Sequence, residues 1–265
     1  MKTLFALTKN TFRETIRDRI LLVIAFFGVA LIGASLFLAA ISARQDEKII
    51  LDLGIGLIDI FGLLVTIFVG TQLIFREINQ KTIFFILSKP VSRATFLLSK
   101  FFGLGAILTL ITTVMLAVFI AVLVFSTSFV VSDDFIHFDF LGKILLISGF
   151  SLLSFLLLLA VVIFFSSFLS PTLAAFSALG VFLIGHLTDD IKMFAETNPV
   201  SPLFQKVADI FYFCFPNFSI LNLKNFILND FPLSPTELFA AAGGAILWIF
   251  VFVALGTFFF SRREF

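Results

Sequence analysis

The chain has 265 residues, of which 60% are hydrophobic and 13% charged, with a net charge of +1 and a mean hydropathy of +1.16. Soluble globular chains carry about 25% charged residues, so a soluble domain is excluded. Forty-one phenylalanines against one tyrosine make the aromatic content apolar bulk, and a single cysteine, Cys214, excludes an intrachain disulfide.

From the N-terminus, Met1 to Arg19 places Leu4, Phe5, Thr8, Phe12 and Ile16 on one helical face, with Lys9, Arg13, Arg17 and Arg19 largely elsewhere. That pattern predicts a helix lying in the membrane interface, cations towards anionic headgroups. It is equally the basic flank of a first span, and the two readings are compatible. The segment is too long and too charged to open a signal peptide, so no cleavable leader is expected. A bilayer core about 30 Å thick needs about 20 helical residues per crossing. Six apolar runs answer to this, at 20–41, 53–75, 101–126, 143–169, 172–187 and 238–260. The fifth is short at its outer end, which leaves room for it to continue past His186. The expected fold is therefore all-α: one polytopic transmembrane domain over 1–265, with six transmembrane helices, an interfacial helix at 1–19, a polar loop at 76–100 and an outer loop at 188–237.

Twelve of the eighteen Lys and Arg residues fall on one side of this arrangement: Lys2, Lys9, Arg13, Arg17, Arg19, Arg76, Lys81, Lys89, Arg93, Lys100, Arg262 and Arg263. The other six, Arg44, Lys48, Lys143, Lys192, Lys206 and Lys224, are spread over longer loops. Cations concentrate on the cytoplasmic side, so both termini are expected there, in the inner (plasma) membrane. Pro171 suits the first turn of the fifth span, because its missing N–H would be unpaired there anyway; Phe168 to Pro171 then make a tight inner turn. On the outer side, Thr127 to Gly142 holds Asp133, Asp134, His137 and Asp139 and no basic residue, which reads as a solvated loop. The third outer loop is too apolar to hang in water, with Phe204, Val207, Ile210 and Phe211 among its residues. Ser201 to Phe213 and Ile220 to Leu228 are expected as short interfacial or re-entrant helices, with Gln205, Lys206 and Asp209 on the polar face. Pro216-Asn217 and Asn229 to Pro235 break and end them.

The segment Arg76 to Gly103 carries five cations against one acid, Glu77. Ile78, Thr82, Phe85 and Ile86 recur at three-to-four-residue spacing and predict a short amphipathic helix. Lys89-Pro90 stops it, because the residue before a proline is pushed out of the helical region. Ser92 is placed to cap a second helix running through Phe96 and Lys100 into the next span. A helix, a proline break and a helix on the cytoplasmic face form a platform on which another protein can push.

This string resembles the first cytoplasmic loop of type-2 ABC exporter permeases, and most nearly the branch associated with copper-enzyme maturation. The matching positions are Arg76-Glu77, Thr82-Ile83, Leu87 to Arg93 (Leu-Ser-Lys-Pro-Val-Ser-Arg), Phe96 and Ser99-Lys100-Phe101, with Ser99 standing where the family has glycine. Thr11 to Ile20 and Pro216 to Asn225 agree as well. The resemblance implies an elbow helix beside an ATPase, including Phe12, Arg13 and Arg17. It implies a coupling helix over Arg76 to Leu87, with Arg76, Glu77, Lys81, Thr82, Phe85, Pro90, Ser92 and Arg93 at the ATPase and Arg76, Glu77 and Arg93 supplying charge pairing. The outer short helices would form an outer gate, and the turn at Pro171 is either a plain hairpin or a second contact to the ATPase.

The residues themselves carry no enzyme chemistry. Gly142-Lys143 is the nearest approach to a phosphate-binding loop, but Ile144 replaces the required Ser or Thr and His137 the first glycine. No cofactor is expected in this chain; ATP and Mg belong to the partner. His186, Asp189 and Asp190 share a helix face, which reads as the polar end of a span or, alternatively, as a metal cluster; no metal site is assigned. Asp59, Thr66 and Gln72 lie within the second span. Asp59 lines a substrate path, pairs with another span, or sits in the headgroups if the span begins later. Gly54, Gly56, Gly62 and Gly70 allow close helix contacts there.

The expected function is the permease subunit of an ATP-driven ABC transporter, an exporter, acting as a homodimer or heterodimer with two copies of a cytoplasmic ABC ATPase. Membrane lipid and a periplasmic protein are further partners; nucleic acid is not. The alternatives are a membrane component that transmits force to an outer partner without moving solute, and a secondary transporter. The latter calls for charges near the bilayer midplane and an internal repeat.

Overall fold

The computed structural model describes residues 2–41, 46–79, 92–129, 138–197, 202–224 and 234–262. All regular structure among them is helical: α1 (Lys2–Thr15), α2 (Arg19–Ile41), α3 (Asp46–Leu64), a π turn (Val65–Val69), α4 (Gly70–Asn79), α5 (Arg93–Phe129), α6 (Phe138–Ser166), α7 (Pro171–Thr197), α8 (Pro202–Cys214) and α9 (Pro235–Arg262). Five stretches are long and apolar enough to cross a bilayer: Leu51–Arg76, Arg93–Phe125, Leu141–Ser166, Pro171–Thr197 and Pro235–Arg262. Thr3–Thr15 and Arg19–Ser35 meet at 65° and, taken together, make a sixth. The chain is a multi-pass, all-helical membrane protein.

The centre is α6. Leu157 to Ile163 are seven consecutive buried residues, which a helix achieves only when neighbours surround it on every side. Those neighbours are α3, α4, α5, α7 and α9. Small residues set the closest approaches. A Cβ on Gly62 would lie 2.3 Å from the Phe155 ring of α6, and one on Gly54 would lie 2.0 Å from the Phe119 ring of α5. Gly70 faces Val162 at 3.0 Å, so three of the four glycines of the second span seat it against its neighbours; Gly56 instead faces the Lys224 ammonium at 3.8 Å. Within this span the Thr66 hydroxyl donates to the Gly62 carbonyl and the Thr71 hydroxyl to that of Ile67, both at 2.7 Å. Thr66 and Ile67 lie within the π turn, a five-residue stretch of wider helix.

Helix ends depart from the hydropathy limits. The third apolar run begins at 101, but its helix starts at Arg93 behind the expected Ser92 cap; the fifth was drawn to 187 with room to continue, and α7 runs on to Thr197. Hydropathy reports where a helix is apolar, and these helices continue through the polar residues Ser99, Lys100, Asp190 and Lys192. The outer loop accordingly gives its first ten residues, 188–197, to α7. Pro171 opens α7 as expected, with Ala174 N–H donating to the Ser170 carbonyl at 2.8 Å. The start of the helix expected from Ile220 is corrected: Ile220 to Leu223 form turns, Lys224 is helical, and 225–228 lie outside the described residues. Helix α8 agrees with the expectation within a residue.

The face of α1 that packs most closely on the bundle carries threonines. Phe5 is 72% exposed, and the buried positions are Thr11 and Thr15. Thr11 meets α5 at Gly103, where a Cβ would lie 2.6 Å from the threonine. A small β-branched face fits that gap and a Leu-Phe face does not.

Candidate functional site

Two polar groupings stand out in an apolar bundle. The inner one gathers where the elbow, α4, α5 and α9 end. Asp18 lies in the bend between α1 and α2, and one carboxylate oxygen accepts the Ile20 N–H at 2.9 Å, capping α2. Its other oxygen is ion-paired with Arg76. Arg76 also donates to Gln72, one turn earlier on α4, at 2.9 Å. Ser92 accepts the Thr95 N–H at 3.1 Å and caps α5 as its sequence position predicted. Arg93 donates to the carbonyls of Phe260 (3.3 Å) and Ser261 (2.8 Å), the last turn of α9, where a cation suits the helix dipole. Phe96 stacks on Phe260 at 5.7 Å beside it.

Both arginines expected at an ATPase thus have partners within the chain. Glu77 follows Arg76 on α4; Lys81, Thr82, Phe85 and Pro90 lie outside the described residues. On the elbow, Phe12 packs against the core while Arg13 and Arg17 are exposed.

The three residues assigned to a substrate path face three surroundings. Gln72 lines an apolar groove of about 450 Å³ between the second span and α7, with Ile67, Phe68, Ala175 and Phe176. Thr66 is buried against Leu104, Ile107 and Leu159 with its hydroxyl occupied. Asp59 belongs to the outer grouping.

There, Asp59 Oδ2 is 2.7 Å from Lys224 Nζ, and its Oδ1 accepts the Ser151 hydroxyl at 2.7 Å. A cavity of about 50 Å³ lies beside them, lined also by Ser154, His186 and Asn222. Lys224 follows Leu221 and Leu223, both buried, and the Phe218 before them is buried and packs its ring on Phe182 (5.1 Å) and His186 (6.3 Å). Phe218 N–H donates to the Gly185 carbonyl at 3.0 Å. Asn217 donates to Asp189 at 2.6 Å. His186, Asp189 and Asp190 therefore do not converge, and among the described residues no three metal-ligating side chains gather.

Lys224 and Ser151 were missed as partners of Asp59. The signal available was a lone acid in one apolar segment and a lone cation in another, each costly without a counter-charge. Nothing local says that the two meet.

No curated protein matches the chain in sequence. The family model of the ABC-2 family transporter proteins matches residues 5–265, nearly the whole chain. The chain belongs to the ABC-2 transporter family.

Proposed function

We propose that this chain is the permease subunit of an ATP-driven exporter, working as a homodimer on two copies of a cytoplasmic ATPase. Family membership implies an ATPase partner in general terms. The observation that carries the finer reading is the framing of the polar loop. It leaves α4 and re-enters α5 as continuations of two spans, and Arg76 and Arg93 tie those two helices to the elbow and to α9. A push on the loop is handed at once to four elements. In this mechanism ATP closes the ATPase dimer, Glu77 and the residues from Lys81 to Pro90 receive the motion, and the spans switch access. The apolar groove beside Gln72 is the cargo path on the inner side. Resemblance to the copper-enzyme-maturation branch rests on Leu87 to Arg93 and leaves the cargo open.

Co-purification with the ABC ATPase encoded beside it tests the reading, with ATP hydrolysis measured for the parent and for Glu77→Arg. A stable complex is expected, and the substitution is expected to weaken assembly by roughly 1–3 kcal/mol or to uncouple hydrolysis. If no ATPase binds, or Glu77→Arg behaves as the parent, the reading fails. The Asp59–Lys224 pair within the apolar bundle is the observation that favours a secondary transporter, and that alternative then takes its place.

A further inference from the structure

We propose that the apolar groove between the second span and α7 takes an anionic phospholipid of the inner leaflet, its acyl chain lying between the two helices and its phosphate held by Arg76, Gln72 and Thr172. This rests on the permease reading, which makes the groove the inner cargo path, and adds to it the chemical class of the ligand.

The groove has the reach of one leaflet. Its walls run from Leu63 to Gln72 on the second span and from Pro171 to Leu179 on α7. At 1.5 Å per helical residue each wall advances roughly 12–14 Å, close to half of a hydrocarbon core about 30 Å thick. Its volume is about 450 Å³ and no charged residue lines it. Thr71 in the wall is spent within its own helix, its hydroxyl donating to the Ile67 carbonyl at 2.7 Å. Phe68 and Phe176 of the lining are 47% and 68% exposed, so the groove opens on the outside of the bundle, where a chain already in the membrane can enter sideways.

Polar donors gather at one end of it. Gln72 uses its carbonyl oxygen to accept from Arg76 at 2.9 Å, which leaves its amide N–H groups to donate. Thr172, in the first turn of α7, lines the same end and is exposed. The Arg76 side chain is 42% exposed, and a guanidinium has more N–H donors than its bonds to Asp18 and Gln72 use. The stretch Arg13 to Arg19 together with Arg76 and Glu77 holds four arginines and three acids, so this end stays net positive. Arginine is the side chain best matched to a phosphate, and basic residues at the inner surface draw anionic lipid. A neutral chain would leave these donors unused and a cationic amphiphile would be repelled; an acyl chain with a phosphate suits both ends of the groove. A helix of a second copy would fill the apolar length equally, and it is the donors that favour the lipid.

The test uses the full chain in phosphatidylcholine vesicles, with Trp248→Phe, which removes the one native tryptophan, and Phe176→Trp as a reporter on the groove. A small fraction of lipid with brominated chains is added, and quenching by brominated phosphatidylglycerol is compared with quenching by brominated phosphatidylcholine. Bulk lipid around the bundle quenches equally with either headgroup. The groove is expected to favour phosphatidylglycerol at least about fivefold, the effect of one cation on an anionic headgroup. Arg76→Gln should remove the preference. Ala175→Leu, which fills the groove and leaves the arginine in place, should remove it too, and covers the case in which Arg76→Gln fails to fold. Asp18→Asn breaks the same ion pair but frees Arg76 for phosphate, so the preference should hold or rise. Equal quenching by the two lipids in the parent overturns the proposal, as does a preference that survives both Arg76→Gln and Ala175→Leu. A fall with Asp18→Asn matching that with Arg76→Gln overturns it as well, because the pair then serves only the helices. So does a disulfide between copies formed by Phe176→Cys in a Cys214→Ser chain, which seats a second copy in the groove. The quenching needs no ATPase: failure of the ATPase to co-purify overturns the permease reading and leaves the lipid site to be judged by itself.

Discussion

Asp18 performs two tasks with two oxygens, capping α2 and facing Arg76, and substitutions can separate them. Asp18→Asn keeps an acceptor for Ile20 N–H and loses the charge. Since the Arg76 side chain is 42% exposed, this should cost less than about 1 kcal/mol. Asp18→Ala loses the cap too, at about 1 kcal/mol more; thermal unfolding midpoints in one detergent would rank parent, Asn and Ala in that order. Gly185→Ala is expected to be the more damaging change. Its Cβ meets a backbone oxygen rather than a flexible side chain, so the outer segment must shift, with a cost of about 1–3 kcal/mol and a lower unfolding midpoint. At this scale, what was legible in the sequence was local. Ser92 and Pro171 announce helix starts because capping acts over three or four residues. The contacts of Asp59 with Lys224 and of Gly185 with Phe218 join distant stretches, and nothing in either stretch encodes the other.

Helices were legible in their middles and not at their ends. An apolar run shows what lies in lipid, while α5 and α7 continue on hydrogen bonds that hydropathy does not see. The elbow shows a second limit. Its apolar pattern speaks of the membrane, while its seat on α5 is a glycine gap met by Thr8 and Thr11. Gly103→Val is therefore expected to unseat α1, with a loss of about 1–3 kcal/mol visible as a lower unfolding midpoint. Thr11→Ala should not rescue it, because the Thr11 Cβ itself is 2.6 Å from the new atom; Thr11→Gly should recover part of the loss.

For the whole molecule, the twelve-to-six division of cations predicts cytoplasmic termini, with Arg17 on the inner side and Lys206 on the outer. In a Cys214→Ser chain expressed in intact cells, an impermeant maleimide should label Lys206→Cys and leave Arg17→Cys unreacted until the membrane is permeabilised. The reverse result inverts the topology and removes the cytoplasmic loop from reach of an ATPase. The class could be read from composition and charge, but which helix lies at the centre could not. The spans are similarly apolar; it is burial of Leu157 to Ile163 on every side that singles out α6.

The π turn at Val65–Val69 spends one residue more than an α-helix on the same advance. Beyond it, every side chain is rotated by about 100° from where an uninterrupted helix would point it. The second span is thus two helices in series with a fixed phase between them. The outer one presents Asp59 to Lys224, and the inner one presents Arg76 to Asp18. That phase angle, set by a single residue, decides whether both ends of the span meet their partners at the same time. Deleting Ile67 would leave composition and hydropathy almost untouched and turn Arg76 away from Asp18. A relaxation of the same turn to α geometry would do so reversibly, converting a change of winding in mid-membrane into a change of partner at the inner face.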